Sequence, residues 1–274
     1  MIKQNLHTHS IYCDGKDSID EMVQTAIDKG FTILGFSGHG PCRYDSVAMK
    51  EEDLTKYIED ILDAKEKYKD KIQIFLGIEE DISQRIPSKK PYDFVIGSEH
   101  FLIEKGEVLN VDYSDEHTKK IVETFDHDFH QYAKAYYEGL QKIAEYDEVD
   151  IVGHLDLLMK FNEDQKYGSF TDPVYLSYAK ECIDVLIAAG KIFEINTGAI
   201  ARGYRKDPYP HQTLLSYIQK KKGNILLSSD CHDRNNLDCH FKESMELIQA
   251  CGFDSMMVLT SEGFKKTPIE QFAR

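Results

Sequence analysis

The stretch Ile2-Lys3-Gln4-Asn5-Leu6-His7-Thr8-His9-Ser10 opens the chain with a short alternating run that is typical of a strand. Side chains two positions apart on an extended chain point to the same side, so the imidazoles of His7 and His9 can reach one cation. With 11 histidines in 274 residues, a His-x-His pair arises by chance about 0.4 times. The pair therefore indicates a metal site only if the rest of the chain supplies partners for it.

Strands and helices alternate along nearly the whole chain. Ser18 and Glu21 form a capping box for a first helix that ends at Gly30, and a second strand follows at 31–36. Later strands are predicted at 72–78, 94–97, 149–153, 192–195, 225–227 and 256–259, with helices at about 51–69, 129–146, 173–189, 211–221 and 241–250. Seven or eight βα units predict an α/β fold with a parallel sheet, and the chain length favours a closed barrel over an open sheet.

Residues 101–131 interrupt this rhythm, because they are polar, rich in Asp, Glu and His, and show little periodicity. We expect them to form an insertion over one end of the barrel rather than a domain, since a separate core cannot be built from them. No linker rich in Gly, Ser or Pro divides the chain. Residues 1–274 are therefore expected to form a single barrel domain with a polar insertion at about 101–131.

Composition excludes several classes of partner. The net charge of −15 argues against a nucleic-acid surface, which needs clustered Lys and Arg. No apolar run approaches the roughly 20 residues that a membrane-spanning helix needs, and residues 1–5 lack an apolar signal core. The six cysteines show no spacing typical of a disulfide framework. We expect a cytoplasmic protein with reduced thiols that binds neither nucleic acid nor membrane.

Histidine and acidic residues follow the predicted strands at the points where these strands end. The carboxyl ends of barrel strands open on one face, so six strands deliver these side chains to one place. Glu79 and Glu80 compete for one position, and the alternation of the strand favours Glu79. The candidate metal ligands are His7, His9, Asp14, His39, Glu79, His100, His154, Asp230 and His232. The histidines that do not follow strands are predicted to be structural: His117, His127, His130, His211 and His240.

Six imidazoles and three carboxylates exceed the three or four protein ligands that one tetrahedral zinc ion takes. They suit two or three cations with a carboxylate bridging two of them, and this mixture is typical of Zn, Fe or Mn rather than Ca or Mg. Three divalent ions against three carboxylates leave the pocket at about +3 by formal charge. Such a pocket attracts an oxyanion despite the acidic surface of the protein.

Six motifs, in this order along the chain, resemble those of the PHP (polymerase and histidinol phosphatase) family. They are His7-Thr8-His9, Ser37-Gly38-His39, Gly77-Ile78-Glu79, Ser98-Glu99-His100, Gly153-His154 and Asp230-Cys231-His232. Ile195-Asn196-Thr197-Gly198 and Pro208-Tyr209-Pro210 are similar to the histidinol-phosphate phosphatase branch of this family. The resemblance implies a distorted (β/α)7 barrel that holds three divalent transition metals.

The resemblance also implies a division of the nine candidates over three metals. By similarity, His7, His9, Glu79 and Asp230 would hold the first metal, Glu79, His100 and His154 the second, and Asp14, His39 and His232 the third. Two basic residues would contact the substrate phosphate.

Lys160 lies a few positions beyond Gly153-His154, where the family has Arg, and it supplies the charge without the bidentate fork. For the second contact, Arg202 fits the spacing better than Arg205.

The constellation and the resemblance together predict a phosphomonoesterase that hydrolyses L-histidinol phosphate, a small-molecule phosphate ester, in histidine biosynthesis. A metal-bridging hydroxide would attack phosphorus, while the cations, Lys160 and Arg202 stabilise the phosphoryl charge. No side chain is identified as the general acid. A side-chain nucleophile is not needed, because the neighbours of Cys231 do not form a Cys-nucleophile arrangement.

Two alternatives stay open at this point. The nearer one is another PHP phosphoesterase, which would cleave nucleotides, a nucleic-acid 3′ end or phosphotyrosine. The other is a non-catalytic metal-storing barrel or an amidohydrolase-type C–N hydrolase, since amidohydrolases also open with His-x-His after the first strand. No lysine closes a predicted strand where those hydrolases would place a bridging carbamate.

Overall fold

The computed structural model describes residues 1–273 except residues 85, 87 and 89. Its strands are β1 (Gln4–Asn5), β2 (Ile33–Phe36), β3 (Gln73–Asp81), β4 (Phe94–Ser98), β5 (Phe101–Glu104), β6 (Glu107–Asn110), β7 (Ile151–Val152), β8 (Ile192–Asn196), β9 (Asn224–Ser228), β10 (Ser255–Thr260) and β11 (Gly263–Pro268). Its α-helices are α1 (Ile19–Asp28), α2 (Glu51–Lys67), α3 (Asp115–Thr124), α4 (Phe129–Leu140), α5 (Pro173–Ala188), α6 (Gly198–Ala201), α7 (Gln212–Lys220) and α8 (Phe241–Ala250). Short 3-10 turns lie at Gln141–Glu145, Leu157–Met159, Arg234–Asn236 and Ile269–Gln271.

Seven strands form one parallel sheet in the order β1-β2-β3-β4-β7-β8-β9. The sheet closes on itself beyond the ends of β1 and β9, where Thr8 and Cys231 form a parallel bridge. There the His9 amide donates to the Cys231 carbonyl at 3.0 Å. The predicted (β/α)7 barrel is confirmed, and its closure lies at the carboxyl end, where the candidate site was expected.

Between β1 and β9, side-chain amides replace the missing backbone ladder. The Asn5 side chain donates to Ser229 Oγ at 2.6 Å and to the Leu237 carbonyl at 3.0 Å. The Gln4 side chain donates to the Met257 carbonyl and accepts from the Leu259 amide, at 3.2 and 2.9 Å. The strand predicted at 256–259 is not part of the barrel sheet. It belongs to β10, which pairs antiparallel with β11 and lies against Gln4 at the amino end of β1.

The residues predicted to begin helices α1 and α5 form N-cap hydrogen bonds in the structure. Ser18 Oγ accepts from the Glu21 amide, and the Glu21 carboxylate accepts from the Ser18 amide, which confirms the capping box of α1. Asp172 caps α5 by accepting from the first two free amides, with Pro173 in the first turn. The helix predicted at about 51–69 is present as α2; it buries Tyr57, Ile61 and Ala64, whereas Leu62 is 48% exposed.

The segment at 101–131, which shows little periodicity in the sequence, is regularly folded. It forms the antiparallel hairpin β5–β6 and the helix α3, and it adds Leu102, Leu109, Val111 and Ile121 to the buried core. The hairpin turn uses Lys105 and Gly106 with φ of 50° and 84°, a two-residue loop that matches the twist of the flanking strands. The elements are too short for a period to show in the sequence, which explains why the hairpin and the helix were not predicted.

Across residues 1–273, apart from the three that are not described, no helix is long and apolar enough to cross a membrane.

Candidate metal centre

The structure brings all nine predicted ligands together at the carboxyl end of the barrel. Their ligand atoms fall into groups within which no two atoms are more than 4.8 Å apart. These groups are His9, Asp14, His39 and His232; His7, His9 and Asp230; and His39, Glu79 and His100. His154 joins them through Glu79, whose Oε1 lies 3.1 Å from His154 Nε2.

Glu79 is the centre of this cluster. Its Oε2 lies 3.1 Å from His7 Nε2 and 3.1 Å from His39 Nδ1, and its Oε1 lies 3.5 Å from His100 Nε2. Four imidazoles from four strand ends therefore surround one carboxylate, as His154 completes the set. Burial opposes ionisation of Glu79, but these imidazoles outweigh it and hold its pKa well below the usual value.

The side chain of Glu80 lies on the opposite face of the same strand. Its carboxylate packs against Gly40, where a Cβ would lie 2.7 Å from the Glu80 oxygens. Burial, with the neighbouring Asp81 carboxylate, raises the pKa of Glu80 to about 8. Of the two acids that competed in the sequence, the structure places Glu79 among the imidazoles and Glu80 away from them.

The loop after β1 returns Asp14 to the cluster. His232 Nε2 lies 3.0 Å from Asp14 Oδ2, and His9 Nδ1 lies 3.4 Å from Asp14 Oδ1. The loop is tight enough that a Cβ at Gly15 would lie 2.4 Å from the Ser10 amide nitrogen. Only glycine fits this close approach, and the turn it permits places the Asp14 carboxylate beside two histidines.

The cluster fits divalent cations by the chemistry of its buried atoms. Several buried donor-set atoms have no hydrogen-bond partner among the described residues: His7 Nε2, His9 Nε2, Asp14 Oδ1, Glu79 Oε2 and His154 Nδ1. Each buried polar atom without a partner costs about 1–3 kcal/mol. Imidazole nitrogens and carboxylate oxygens that converge without partners need a shared cation, so these residues form a site for divalent metal ions.

Three carboxylates around His7 also favour the binding of a cation. Burial opposes protonation of His7, but the Glu194, Glu79 and Asp230 carboxylates outweigh it and raise the pKa of His7 well above its usual value. Carboxylates that would hold a proton on this imidazole would equally hold a metal ion beside it.

Two carboxylates that the sequence analysis missed lie behind the histidines. Glu194, in the middle of β8, accepts from the His154 amide at 3.0 Å, and its other oxygen lies 2.6 Å from His7 Nδ1. Asp81 Oδ2 accepts from the His100 amide at 2.7 Å and lies 3.2 Å from His100 Nδ1. The available signal was a charged residue inside an apolar strand, since Glu194 sits in Ile192–Asn196.

A cleft of about 720 Å³ opens over the cluster, and both predicted phosphate contacts line it. Arg202 Nη2 donates to Asp230 Oδ2 at 3.0 Å, and its Nη1 lies 3.0 Å from His232 Nδ1. Lys160 Nζ donates to Asp112, whose pKa is lowered to about 2 because Lys160 and His100 outweigh the effect of burial.

Arg205, the other candidate in the sequence, lies outside the cleft. It is buried, with its Nη1 3.2 Å from Asp156 Oδ2 and its guanidinium over the Tyr209 ring. Asp156 also accepts from the His211 amide at 3.0 Å, so it neither enters the cluster nor caps the turn that follows it.

Three histidines predicted to be structural have local partners away from the cleft. His130 Nε2 lies 2.9 Å from Asp172 Oδ1, the His211 side chain accepts from the Thr213 amide, and His117 accepts from the Asn110 amide.

Known proteins resemble this chain over most of its length. The PHP domain model matches residues 5–198. Histidinol-phosphatase from Bacillus subtilis is 24% identical over 90% of this chain and 99% of its own length, and that from Lactococcus lactis is 28% identical over 93% and 94%. The structure of histidinol phosphate phosphatase from Lactococcus lactis, complexed with Zn, L-histidinol and phosphate, has a TM-score of 0.74 at 22% identity and covers 96% of this chain and 99% of that one. This likeness shows the fold, and the match of the family model to most of the chain shows its membership: the chain belongs to the PHP domain family.

Proposed function

We propose that this chain is a metal-dependent phosphomonoesterase that hydrolyses L-histidinol phosphate to L-histidinol and inorganic phosphate in histidine biosynthesis. The observation that carries the proposal is Glu79 surrounded by imidazoles from four strand ends, beneath a cleft lined by Lys160 and Arg202. Relatives that span nine-tenths of the chain and bear the name histidinol-phosphatase support this substrate.

The proposed cofactors are three divalent transition metals of the Zn, Fe or Mn type. His7, His9, Glu79 and Asp230 would hold the first, Glu79, His100 and His154 the second, and Asp14, His39 and His232 the third. The grouping of the ligand atoms supports this division in outline, although His9 also lies with the third set and His39 also lies with Glu79 and His100. Bound there, such ions lower the pKa of coordinated water towards neutrality and offset phosphoryl charge.

The protein's own residues would bind and orient the ester. Lys160 and Arg202 place two positive charges on the cleft wall, where they can donate hydrogen bonds to phosphoryl oxygens and stabilise charge that develops on them. Cys231 is 2% exposed, and burial raises its pKa to about 12, so its thiol is not suited to attack phosphorus.

The size of the cleft and the net charge of −15 support a small-molecule ester rather than a nucleic acid as the substrate. We further propose that the enzyme acts in the cytoplasm and that residues 1–274 form one domain with 101–131 as an insertion.

Elemental analysis of purified protein, paired with phosphate release across a panel of phosphomonoesters, tests the proposal. Histidinol phosphate should give the highest kcat/KM in a panel with nucleoside monophosphates, phosphotyrosine and 3′-phosphorylated oligonucleotides. His7→Ala and Asp230→Ala should lose metal and turnover together. Faster hydrolysis of phosphotyrosine or a nucleotide would show that the chain is another PHP phosphoesterase. The proposal would be refuted if the purified protein bound no transition metal and released no phosphate from histidinol phosphate.

A further inference from the structure

We propose that Asp112 is a positioning residue that holds the Lys160 ammonium against the cleft so that it binds the phosphoryl group. The inference rests on the proposed phosphomonoesterase function, because it assigns a phosphate to the free side of that ammonium. It also gives a role to the segment between β4 and β7, which carries Asp112 and would otherwise be a covering element only.

The Lys160 ammonium is held at two points. Its Nζ donates to the Asp112 carbonyl at 3.0 Å and to Asp112 Oδ2 at 3.1 Å. An ammonium has three N–H donors, so one remains for a ligand in the cleft that both residues line. The ring centroids of Phe161 and Tyr204 lie 5.3 and 5.2 Å from Nζ, so the two rings flank the ammonium.

Asp112 is itself fixed by the fold of its segment. The neighbouring Val111 is buried, and its amide donates to the His100 carbonyl at 2.8 Å. The Asp112 amide donates to Asn110 Oδ1 at 3.1 Å, and Ser114 caps α3 two residues later. The hairpin and the helix therefore deliver the carboxylate to a defined place, 48 residues from the lysine it binds.

Lys160 needs such a partner because of where it lies. It is 7% exposed, beside a metal site that would carry positive charge, and a buried charge without a counterion is costly. Its long stem also has considerable rotamer freedom, which a carboxylate and a carbonyl together restrict. Arg202, another cation of the cleft, is held in a comparable way by Asp230.

Two effects of removing the Asp112 carboxylate oppose each other. One negative charge near the phosphate disappears, which favours phosphate binding, but the buried ammonium loses its counterion and its fixed position. We expect the second effect to be the larger one, because an ammonium that has lost its fixed position must be ordered when the phosphate binds. We therefore expect weaker phosphate binding.

Binding of inorganic phosphate to the metal-loaded protein, measured by calorimetry, tests the inference in Asp112→Asn and Asp112→Ala. We expect affinity to fall roughly ten-fold, the effect of one hydrogen bond to a charged group, with unchanged metal content. For any phosphomonoester that is turned over, KM should rise more than kcat falls. In a Lys160→Met background the same substitutions should change affinity by less than about two-fold, because no ammonium is left to hold.

Asp115→Asn is the matched control. Asp115 pairs with Lys166 and so joins the same two segments, but neither residue lines the cleft. This variant should keep the phosphate affinity of the wild type. Unchanged or tighter phosphate binding in Asp112→Asn, or an equal loss in Asp115→Asn, would overturn the inference. The probe is inorganic phosphate, so the affinity measurement does not depend on which ester the enzyme prefers. If the substrate panel favoured a different ester, the proposed substrate would be refuted, but the role of Asp112 would still be tested.

Discussion

Glu194 Oε1 lies 2.6 Å from His7 Nδ1, and neither side chain is exposed to solvent. Because Nδ1 faces this carboxylate, the other ring nitrogen, Nε2, is directed at Glu79, 3.1 Å away. The second Glu194 oxygen accepts from the His154 amide at 3.0 Å. One carboxylate on β8 therefore orients two histidines that follow different strands. Glu194 is not itself one of the candidate metal ligands.

Glu194→Gln should weaken metal binding by about 10–100-fold, the range found for residues that orient a ligating histidine. Glutamine retains the shape but removes the charge that fixes the His7 ring. The measurement is metal release to a competing chromophoric chelator, with elemental analysis after dialysis. Glu181→Gln, on an exposed position of α5, is the control. Equal metal affinity in Glu194→Gln and wild type would contradict the role.

Removal of the metals should abolish phosphate release and lower the thermal stability. The buried nitrogen and oxygen atoms of the cluster would lose their shared partner, and metal present at 100 times its Kd stabilises the fold by about 2.7 kcal/mol. Thermal unfolding before and after chelation measures this effect. Zn or Mn should restore the melting temperature and the turnover, whereas Mg should not. A melting temperature that does not respond to chelation would contradict the prediction.

Arg205→Met and Arg202→Met should separate stability from substrate binding. Arg205→Met leaves the Asp156 carboxylate buried without its cation, so we expect a loss of about 3–5 kcal/mol in the free energy of unfolding. Arg202→Met should mainly raise KM, because Arg202 lines the cleft. Urea unfolding and steady-state kinetics of both variants provide the test. If Arg205→Met were as stable as the wild type but had a raised KM, Arg205 rather than Arg202 would be the substrate contact.

Tyr57→Phe should destabilise the wall behind Glu79 and His39. The buried Tyr57 hydroxyl donates to the Gly77 carbonyl at 2.9 Å and accepts from the Gly38 amide at 3.3 Å. Removing it leaves two buried backbone groups unpaired, at a cost of about 1–3 kcal/mol. Urea unfolding measures the difference, with Tyr217→Phe as the control because the Tyr217 hydroxyl bonds to the partly exposed Asp184. Equal losses in both variants would be inconsistent with this account.

Acid should remove the stability that Asp238 contributes. Asp238 Oδ2 lies 2.7 Å from Lys3 Nζ, and Oδ1 lies 2.5 Å from Lys29 Nζ. Burial opposes ionisation, but the two ammonium groups outweigh it and lower the pKa of Asp238 in the folded protein. The unfolded chain then binds more protons in this range, so the contribution is present above the ordinary Asp pKa of about 3.9 and is lost as the pH falls through the folded value.

The wild type should therefore exceed Asp238→Asn in stability at pH 7, and the difference should narrow below about pH 4. Urea unfolding at pH 7, 5 and 3 measures this difference. A difference that stays constant across this range would show that the ion pair does not account for it.

Much of the fold and the outline of the site followed from the sequence. The alternation of strands and helices predicted the barrel, and strand-end residues such as His39 and Asp230 were expected at its open face, where the structure places them. The hairpin β5–β6 and the position of β10 were missed. These elements are short, and whether a strand joins the sheet or covers its end depends on long-range partners, here the Gln4 side chain.

The sequence by itself determined that histidines and acids would meet at one end of a barrel, because a strand end directs the residues after it to that face whatever their neighbours are. Only the tertiary structure decided that Arg202 rather than Arg205 lines the cleft, and which carboxylate lies behind each functional group. Glu194 meets His7 across 187 residues and Asp112 meets Lys160 across 48. Such pairs form only when the closed barrel and its insertion bring distant segments together, and no local spacing along the chain encodes them.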